Sequence, residues 1–295
     1  MKKYSIPIKV FIWRNGINCI NKFSPTAATK LTHYMTTGEL PNLKNPKRFN
    51  EKLQWLKLYW NEPLVADYAD KYKIYDLVKK NGNAEILNNL LAVYDSTDEI
   101  EWEKLPEKFA LKCTHGCGYN IVTKDKSKLD KKIVFKDLNK WMKEKFGKIH
   151  LEPHYDQIKP RIILEEYIEN EQGLLPIDYK IYCFDGEAKL VLVCSEREDE
   201  LKLDFFDLNW NRLHIGHEKD ESNKTISKPS CFEEMVRNAE SLAKPFPFVR
   251  VDFYDKDGMA ILGELTFTPA ANMAKYYNDY GQEYLGKLLI LPGKK

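Results

Sequence analysis

Two Asp-Gly dipeptides constrain this chain more than any other feature. "DYKIYCF" and "EAKLVLVCSER" flank Asp185-Gly186, and "FVRVDFYDK" and "MAILGELTF" flank Asp257-Gly258. Asp-Gly between apolar runs is a strong local hairpin signal, because the turn whose twist matches paired strands needs positive φ at both central positions. From about residue 178 onward the chain is therefore expected to be dominated by antiparallel hairpins. Between them, Ser230 and Glu233 read as an S-x-x-E capping box after Pro229, opening a helix over "CFEEMVRNAESLAK".

The N-terminal part has a different period. "FNEKLQWLKLYW" predicts a helix capped by Asn50. "PLVADYADKYKIYDLVKKNG" predicts one helix from Pro63 to Asn81-Gly82, with Leu64, Tyr68, Tyr72 and Tyr75 along one face. Near residue 105 the pattern shortens: "KFALKC" and "YNIVTK" read as strands around a glycine segment. A helix around "LNKWMKEKF" and a buried-looking strand, "RIILEEYI", follow. The expectation is an α+β fold with a helical N-terminal region over 1–105, a central lobe over 106–170 and a C-terminal lobe over 171–295.

Composition narrows the function. Lys+Arg of 46 against Asp+Glu of 44 leaves a formal charge of +2, which argues against a nucleic-acid partner. Six cysteines scattered through 295 residues fit reduced, packed thiols of a cytoplasmic protein better than a disulfide framework. No apolar run reaches the length of a membrane span, and "IPIKVFIWRNGINCI" is broken by Lys9, Arg14 and Asn15. That segment reads as a packing arm, with a short basic surface amphipath as the alternative. The lysine-rich "KDKSKLDKKIVFKDLNKWMKEKFGK" reads as a solvated face; its alternative is contact with an anionic polymer or membrane surface.

"LKCTHGCGYN", residues 111–120, admits three chemistries. A zinc site needs a second closely spaced pair of ligands, and no C-x-x-C exists. An oxyanion hole of the His-Gly-x-Gly kind needs a G-x-S-x-G nucleophile elbow, which is absent. A phosphate-cradling loop needs glycines that turn N–H groups inward and a nearby cation; Gly116, Gly118 and Lys112 supply them.

The hairpins supply candidate partners for such a loop. Arg250 and Asp252 share a strand face, as do Glu264 and Thr266. A two-residue Asp257-Gly258 loop sends Glu264 to the opposite face, whereas a three-residue loop pairs Asp252 with Leu262 and sets Glu264 beside Arg250. The three-residue form or an equivalent bulge is expected. Two carboxylates and a hydroxyl on one face then make a site for Mg²⁺ ions carrying a nucleotide's phosphates. In the earlier hairpin a two-residue turn pairs Lys180 with Val191, and Asp178, Lys180, Ser195 and Arg197 share a face suited to phosphates and a ribose. The strand end Glu165-Glu166-Tyr167-Ile168 can offer backbone groups to an adenine edge.

The order of these features resembles the ATP-grasp superfamily, in which two α+β lobes close on ATP, and more closely its TupA-like (teichuronopeptide-biosynthesis) family. The segments that carry the likeness are "NPKRFNEKLQWLK", "ADKYKIYDLV", "LPEKFALKCTHGCGYNIVTKDKSKLD", "IKPRIILEEYI", "DYKIYCFDGEAKLVLV", "FFDLNWNRL" and "GELTFTP". The resemblance implies that Lys112 contacts the nucleotide's phosphates, that the loop from His115 through Gly116 to Gly118 covers them, and that Glu165 to Ile168 form the adenine hinge. It further implies Asp178 as ribose ligand, Lys180, Arg197 and Arg250 as cations facing phosphates, and Asp252, Glu264 and Thr266 as Mg²⁺ ligands. Thr266 stands where many ATP-grasp ligases have asparagine, and Cys117 where serine is expected.

The activity so implied is carboxylate activation by ATP followed by amide formation, within the synthesis of a cell-surface polysaccharide, a capsule or a peptidyl polymer. Its partners would be small amine and carboxylate substrates or a glycan acceptor. It would act in the cytoplasm, with peripheral association at the membrane's inner face. Two alternatives are a glycosyltransferase and an ATP-grasp sugar kinase.

Overall fold

The computed structural model describes residues 8–196 and 200–293. Its larger sheet is assembled from the two Asp-Gly hairpins. Strands β5 (Asp178–Phe184), β6 (Glu187–Ser195), β7 (Lys202–Asp207), β8 (Arg212–Leu213), β9 (Phe248–Lys256) and β10 (Met259–Thr266) lie in the order β10-β9-β5-β6-β7-β8. Both turns have two residues in the left-handed region, Asp185 and Gly186 at φ 50° and 82° and Asp257 and Gly258 at φ 54° and 84°.

Each hairpin then changes register once. In the first, Phe184 pairs with Glu187, but the ladder shifts between Tyr182 and Cys183, so Lys180 faces Leu192 and not Val191. Asp178 faces Cys194, and Ser195 falls on the opposite sheet face. In the second, the structure takes the bulged one of the two expected forms, a two-residue turn followed by a bulge at Gly263. Glu264 therefore pairs with Asp252 and Thr266 with Arg250. The bulge restores Glu264 to the Asp252 face but changes its neighbour. Glycine suits that position, because a Cβ would lie 3.1 Å from the Tyr254 ring and 3.2 Å from the Asp252 carbonyl oxygen.

Helices cover both faces of this sheet. On one, α8 (Phe232–Ala243) buries Phe232, Met235, Ala239 and Leu242 against Ile181, Val191, Val249 and Val251. The helix is capped by Cys231 with no side-chain cap bond, so the Ser230 capping box does not form; Glu233 instead pairs with Lys228. On the other face Tyr182, Phe184, Leu192 and Phe248 pack against α3 (Phe49–Tyr59) and α9 (Asp279–Leu288). Alternation along the strands puts Asp178, Lys180, Arg250 and Asp252 on this second face. One sheet face is thus apolar at one end and ionic at the other.

The smaller sheet has the order β1-β4-β2-β3, from β1 (Leu90–Tyr94), β2 (Phe109–Cys113), β3 (Asn120–Thr123) and β4 (Ile162–Glu166). Phe109, Leu111, Ile162 and Leu164 bury against Leu138 of α6 (Lys131–Lys143) and Phe146 of α7 (Phe146–His150). β1 lies in a stretch where the sequence gives no strand.

The N-terminal helices are α1 (Ile8–Phe23), α2 (Pro25–Thr37), α3, α4 (Leu64–Ala69) and α5 (Lys73–Lys80). α3 begins at Phe49 with Arg48 as its cap, and Glu51 accepts hydrogen bonds from the Lys47 and Arg48 amides; Asn50 is not the cap but a buried residue of the first turn. The single helix expected from Pro63 to Asn81 is broken. Asp70 turns its carboxylate onto the Tyr72 and Lys73 amides at 2.8 and 3.4 Å, capping α5 and ending α4. In α1, Ile17 packs on Ala28 and Leu151. Among the described residues no helix is long and apolar enough to cross a membrane, and all six cysteines are free.

Candidate nucleotide and phosphoryl site

Between the two sheets opens a cleft of about 450 Å³, within the range of ordinary cofactor pockets. β2 contributes Ala110 and Lys112, the loop after it Cys117 and Gly118, the end of β4 Glu166 and Ile168. The opposite wall is Asp178 and Lys180 of β5, Asp252 of β9, and Gly263 and Glu264 of β10. Lys71, from the break between α4 and α5, closes one side. Ile168, Leu175, Pro176 and Val122 make one end apolar, while the charged groups share the other.

At that charged end each cation has an acidic partner. Lys180 Nζ bridges Asp178 at 2.6 Å and Asp252 at 2.7 Å. Arg250, buried beneath, grips both oxygens of Asp252 at 2.7 and 2.6 Å and donates to Thr266 Oγ1 at 3.2 Å. Lys71 Nζ lies 3.3 Å from Glu264 and donates to the Gly116 carbonyl at 3.0 Å. Lys112 Nζ lies 2.5 Å from Glu165, whose other oxygen accepts from the Tyr75 hydroxyl at 2.7 Å.

Burial alone would push Glu264 upward; Lys71 first, then Lys180 and Arg250, outweigh it and hold the carboxyl at about 2. Lys71 moves up correspondingly, burial opposing and Glu264 prevailing. Both partners shift in the sense of a mutually stabilised ion pair.

The loop over this floor uses its two glycines differently. Gly118 has φ 75°, the left-handed conformation the phosphate reading requires. Gly116 is not left-handed; it is small because a Cβ would lie 2.8 Å from the Phe146 ring. His115 points away from the cleft. It is buried, its Nε2 lies 3.0 Å from the Trp141 carbonyl, and its ring packs on Tyr119, so it supports the loop and does not line the site.

The model of a family described as TupA-like ATPgrasp matches residues 51–290. The chain belongs to that family. Its structure is similar to D-alanine–D-alanine ligase from Bacillus anthracis complexed with ATP (13% identity, 76% of this chain and 65% of that one, TM-score 0.43). It is similar too to the D-alanine–D-alanine ligase of Helicobacter pylori (14% identity, 83% and 70%, TM-score 0.47). A third likeness is to an L-amino acid ligase from Bacillus licheniformis (12% identity, 70% and 44%, TM-score 0.43). The chain spans 65% of the length of the Bacillus anthracis ligase. No curated protein matches it.

Within this TupA-like ATP-grasp chain the candidate residues sort into three groups. Lys112, Gly118, Glu166, Ile168, Asp178, Lys180, Asp252 and Glu264 line the cleft. Glu165, Tyr167, Arg250 and Thr266 lie outside the lining; Glu165 steadies Lys112, and Arg250 holds Asp252 and Thr266 together. Arg197 lies outside the described residues. At the hinge, the Glu166 amide donates to the Asn89 carbonyl and its own carbonyl accepts from Asn88, so those two groups are already engaged.

Lys71 is the cleft cation that sequence reasoning misses. It sits in "ADKYKIYDLV", a segment that carries the family likeness, but a continuous helix over 63–81 hides it. The signal is Asp70, a capping residue type in mid-helix position, which frees the next residue to leave the helical face.

Proposed function

We propose that this cleft binds ATP with Mg²⁺ and that the chain is a carboxylate–amine ligase forming an amide through an acyl phosphate. The observation that carries the reading is the set of cation–carboxylate pairs around one cleft: Lys71 with Glu264 and Lys180 and Arg250 with Asp252 on the larger sheet's side, Lys112 with Glu165 on the facing wall. Such a set exchanges partners when a metal-laden polyphosphate enters. Lys71 and Lys180 would then turn to phosphate oxygens while Glu264 and Asp252 hold the metal, and Glu165 would keep the Tyr75 hydroxyl as its partner.

The donor set fits Mg²⁺. Asp252 and Glu264 are adjacent, Glu264 is ionised, and Mg²⁺ binds through one or two carboxylates plus substrate phosphates. When bound, Mg²⁺ supplies charge neutralisation at the phosphoryl oxygens. Lys112 and Lys180 orient the phosphates, Arg250 fixes the Asp252 carboxylate, and Asp178 stands ready for a ribose hydroxyl. Residues 106–170 and 171–295 would be the lobes that close. A substrate carboxylate attacks the terminal phosphorus, ADP leaves, and an amine then displaces phosphate while losing its proton.

The place of the reaction in building a cell-surface polysaccharide, capsule or peptidyl polymer, at the cytoplasmic face of the membrane, rests on the resemblance to the teichuronopeptide family. A glycosyltransferase gains no support: the D-x-D string Asp255-Lys256-Asp257 is the paired end of β9 running into the turn, with Asp255 accepting from the Gly258 amide at 2.8 Å.

An ADP-release assay with Mg-ATP against amino acids and uronic acids tests the reading. Glu264→Ala and Lys112→Ala are expected to abolish release, and ATP binding unchanged in both would sink the site. A phosphorylated sugar with no amide would make the chain a kinase instead.

A further inference from the structure

Helix α3 carries three polar residues on one face, Asn50, Gln54 and Lys57, at spacings of four and three. The first two hold the turn that follows β10. Asn50 Nδ2 donates to the Ala274 carbonyl at 3.0 Å, and Gln54 Nε2 reaches the Asn272 carbonyl at 3.3 Å. Asn272 Nδ2 returns a bond to the Leu53 carbonyl at 3.1 Å. That turn needs holding: Ala270, Ala271 and Asn272 are consecutive left-handed residues at φ 49°, 52° and 62°, and none is glycine. Strain of this kind persists only where the surroundings over-determine it, and it clusters at ligand sites.

The third residue of the stripe has no such task. Lys57 makes no hydrogen bond or ion pair among the described residues, and it lines a separate pocket of about 70 Å³. Leu56, Trp60, Phe248 and Phe267 give this pocket apolar walls; besides Lys57, its polar groups are His154 and Thr268 and, in the same lining, Asn61, Glu62 and Gln157. His154 is buried with its Nε2 unpartnered, and burial, helped by Lys57 and Lys71, pushes the ring down to about 3, so it is neutral. The Thr268 hydroxyl is spent on Glu152, which is buried beside it. An unpaired ammonium among apolar walls is costly until a counter-ion arrives.

We propose that this pocket binds the carboxylate of the second substrate, a small amino acid or other short carboxylic acid with an apolar substituent, through Lys57 and His154. Two donors match the two oxygens of a carboxylate. Phosphate, with its higher charge, would face two acids, Glu62 of the lining and the neighbouring Glu152, where a carboxylate brings a single charge. Thr268 donates to Glu152, whose carboxyl feels the charge of Glu264, so the pocket lies within electrostatic reach of the acidic end of the cleft. Calling the ligand a substrate rests on the ligase reading; the carboxylate site itself does not.

Competitive acetylation of the full-length protein, read lysine by lysine by mass spectrometry, tests binding directly. Propionate or L-alanine at about 50 mM is expected to slow labelling of Lys57 about fivefold relative to sodium chloride at equal ionic strength. Lys57→Met is expected to raise KM for the active carboxylic or amino acid in the ADP-release assay about 10–100-fold, with Mg-ATP affinity unchanged. No protection by any short carboxylate, or an unchanged KM, overturns the proposal. Stronger protection by inorganic phosphate than by carboxylates overturns it in favour of a phosphate site. Loss of Mg-ATP binding in the unsubstituted protein overturns the ligase reading alone, and protection of Lys57 by propionate then still upholds the carboxylate site.

Discussion

The cleft between the two sheets and the Lys57 pocket gather similar groups and treat their charges oppositely. In the cleft, Lys71, Lys180 and Arg250 saturate Glu264 and Asp252, and Glu264 is driven down to about 2. Around the pocket burial wins each contest: Glu152 rises to about 7 despite Thr268 and Lys57, Lys57 falls to about 8 despite Glu152, and His154 falls to about 3. The first region keeps full charges by matching them. The second shifts its groups toward neutrality, the direction burial takes where no opposite charge fully matches them, although Lys57 still carries its proton at pH 7.

That contrast is breakable by substitution. Asp252→Ala strands Arg250 and Lys180 and is expected to cost about 3–5 kcal/mol in urea unfolding, because removing one partner leaves buried charge uncompensated. An undiminished unfolding midpoint would show that the cleft's charges do not depend on one another. Glu264→Gln is milder for the fold, since the side chain is 31% exposed. It is expected to lower ADP release about 10²–10³-fold, by analogy with losing one electrostatic contact to a developing charge.

The pocket should respond in the opposite sense. Lys57→Met removes an unpaired ammonium from apolar surroundings and is expected to stabilise the protein by about 1–2 kcal/mol, measured by the same unfolding curves. Destabilisation there would mean that Lys57 has a partner in solution.

Acid sharpens the comparison further. His33 and His154 have folded values of about 4 and about 3, below the usual 6.5, both mainly through burial. Their contribution to stability is present above pH 6.5 and is lost as pH falls through the folded values. Glu152, raised from 4.5 to about 7, contributes below pH 4.5 and loses that contribution as pH rises through 7. His154→Phe is therefore expected to flatten the acid limb of a stability–pH profile, and an unaltered slope between pH 6.5 and 3 would contradict the burial account. The smallest effect is expected for Cys117→Ser: ADP release within about twofold, since the exposed loop residue is small in either form.

Much of this molecule is legible in its sequence where local rules dominate. The Asp-Gly turns, the strands around residues 109–123 and the acidic pair follow from alternation and turn chemistry. Three misses share a cause: each depends on a contact made by a distant part of the chain. Asn50 reads as a cap but is drawn inside by the Ala274 carbonyl. β1 becomes a strand because β4 offers it an edge. His115 looks like a ligand, yet the Trp141 carbonyl claims it. Lys71 is hidden differently, by a capping aspartate whose local meaning contradicts an otherwise continuous helical period.

The bulge at Gly263 makes the meeting of Glu264 with Asp252 a matter of parity. In a regular ladder with a two-residue turn, Glu264 would sit opposite Val251 and face away from Asp252. The extra residue changes an odd spacing into an even one. A three-residue turn without a bulge gives the same parity, and so does deletion of Gly263 itself. Relatives whose hairpins differ in length by a residue can thus keep the acidic pair intact. A relative with every site residue in place but one uncompensated insertion would present leucine where the carboxylate belongs. When sequences of this kind are aligned, the count of residues between the two acids carries as much information as the acids themselves.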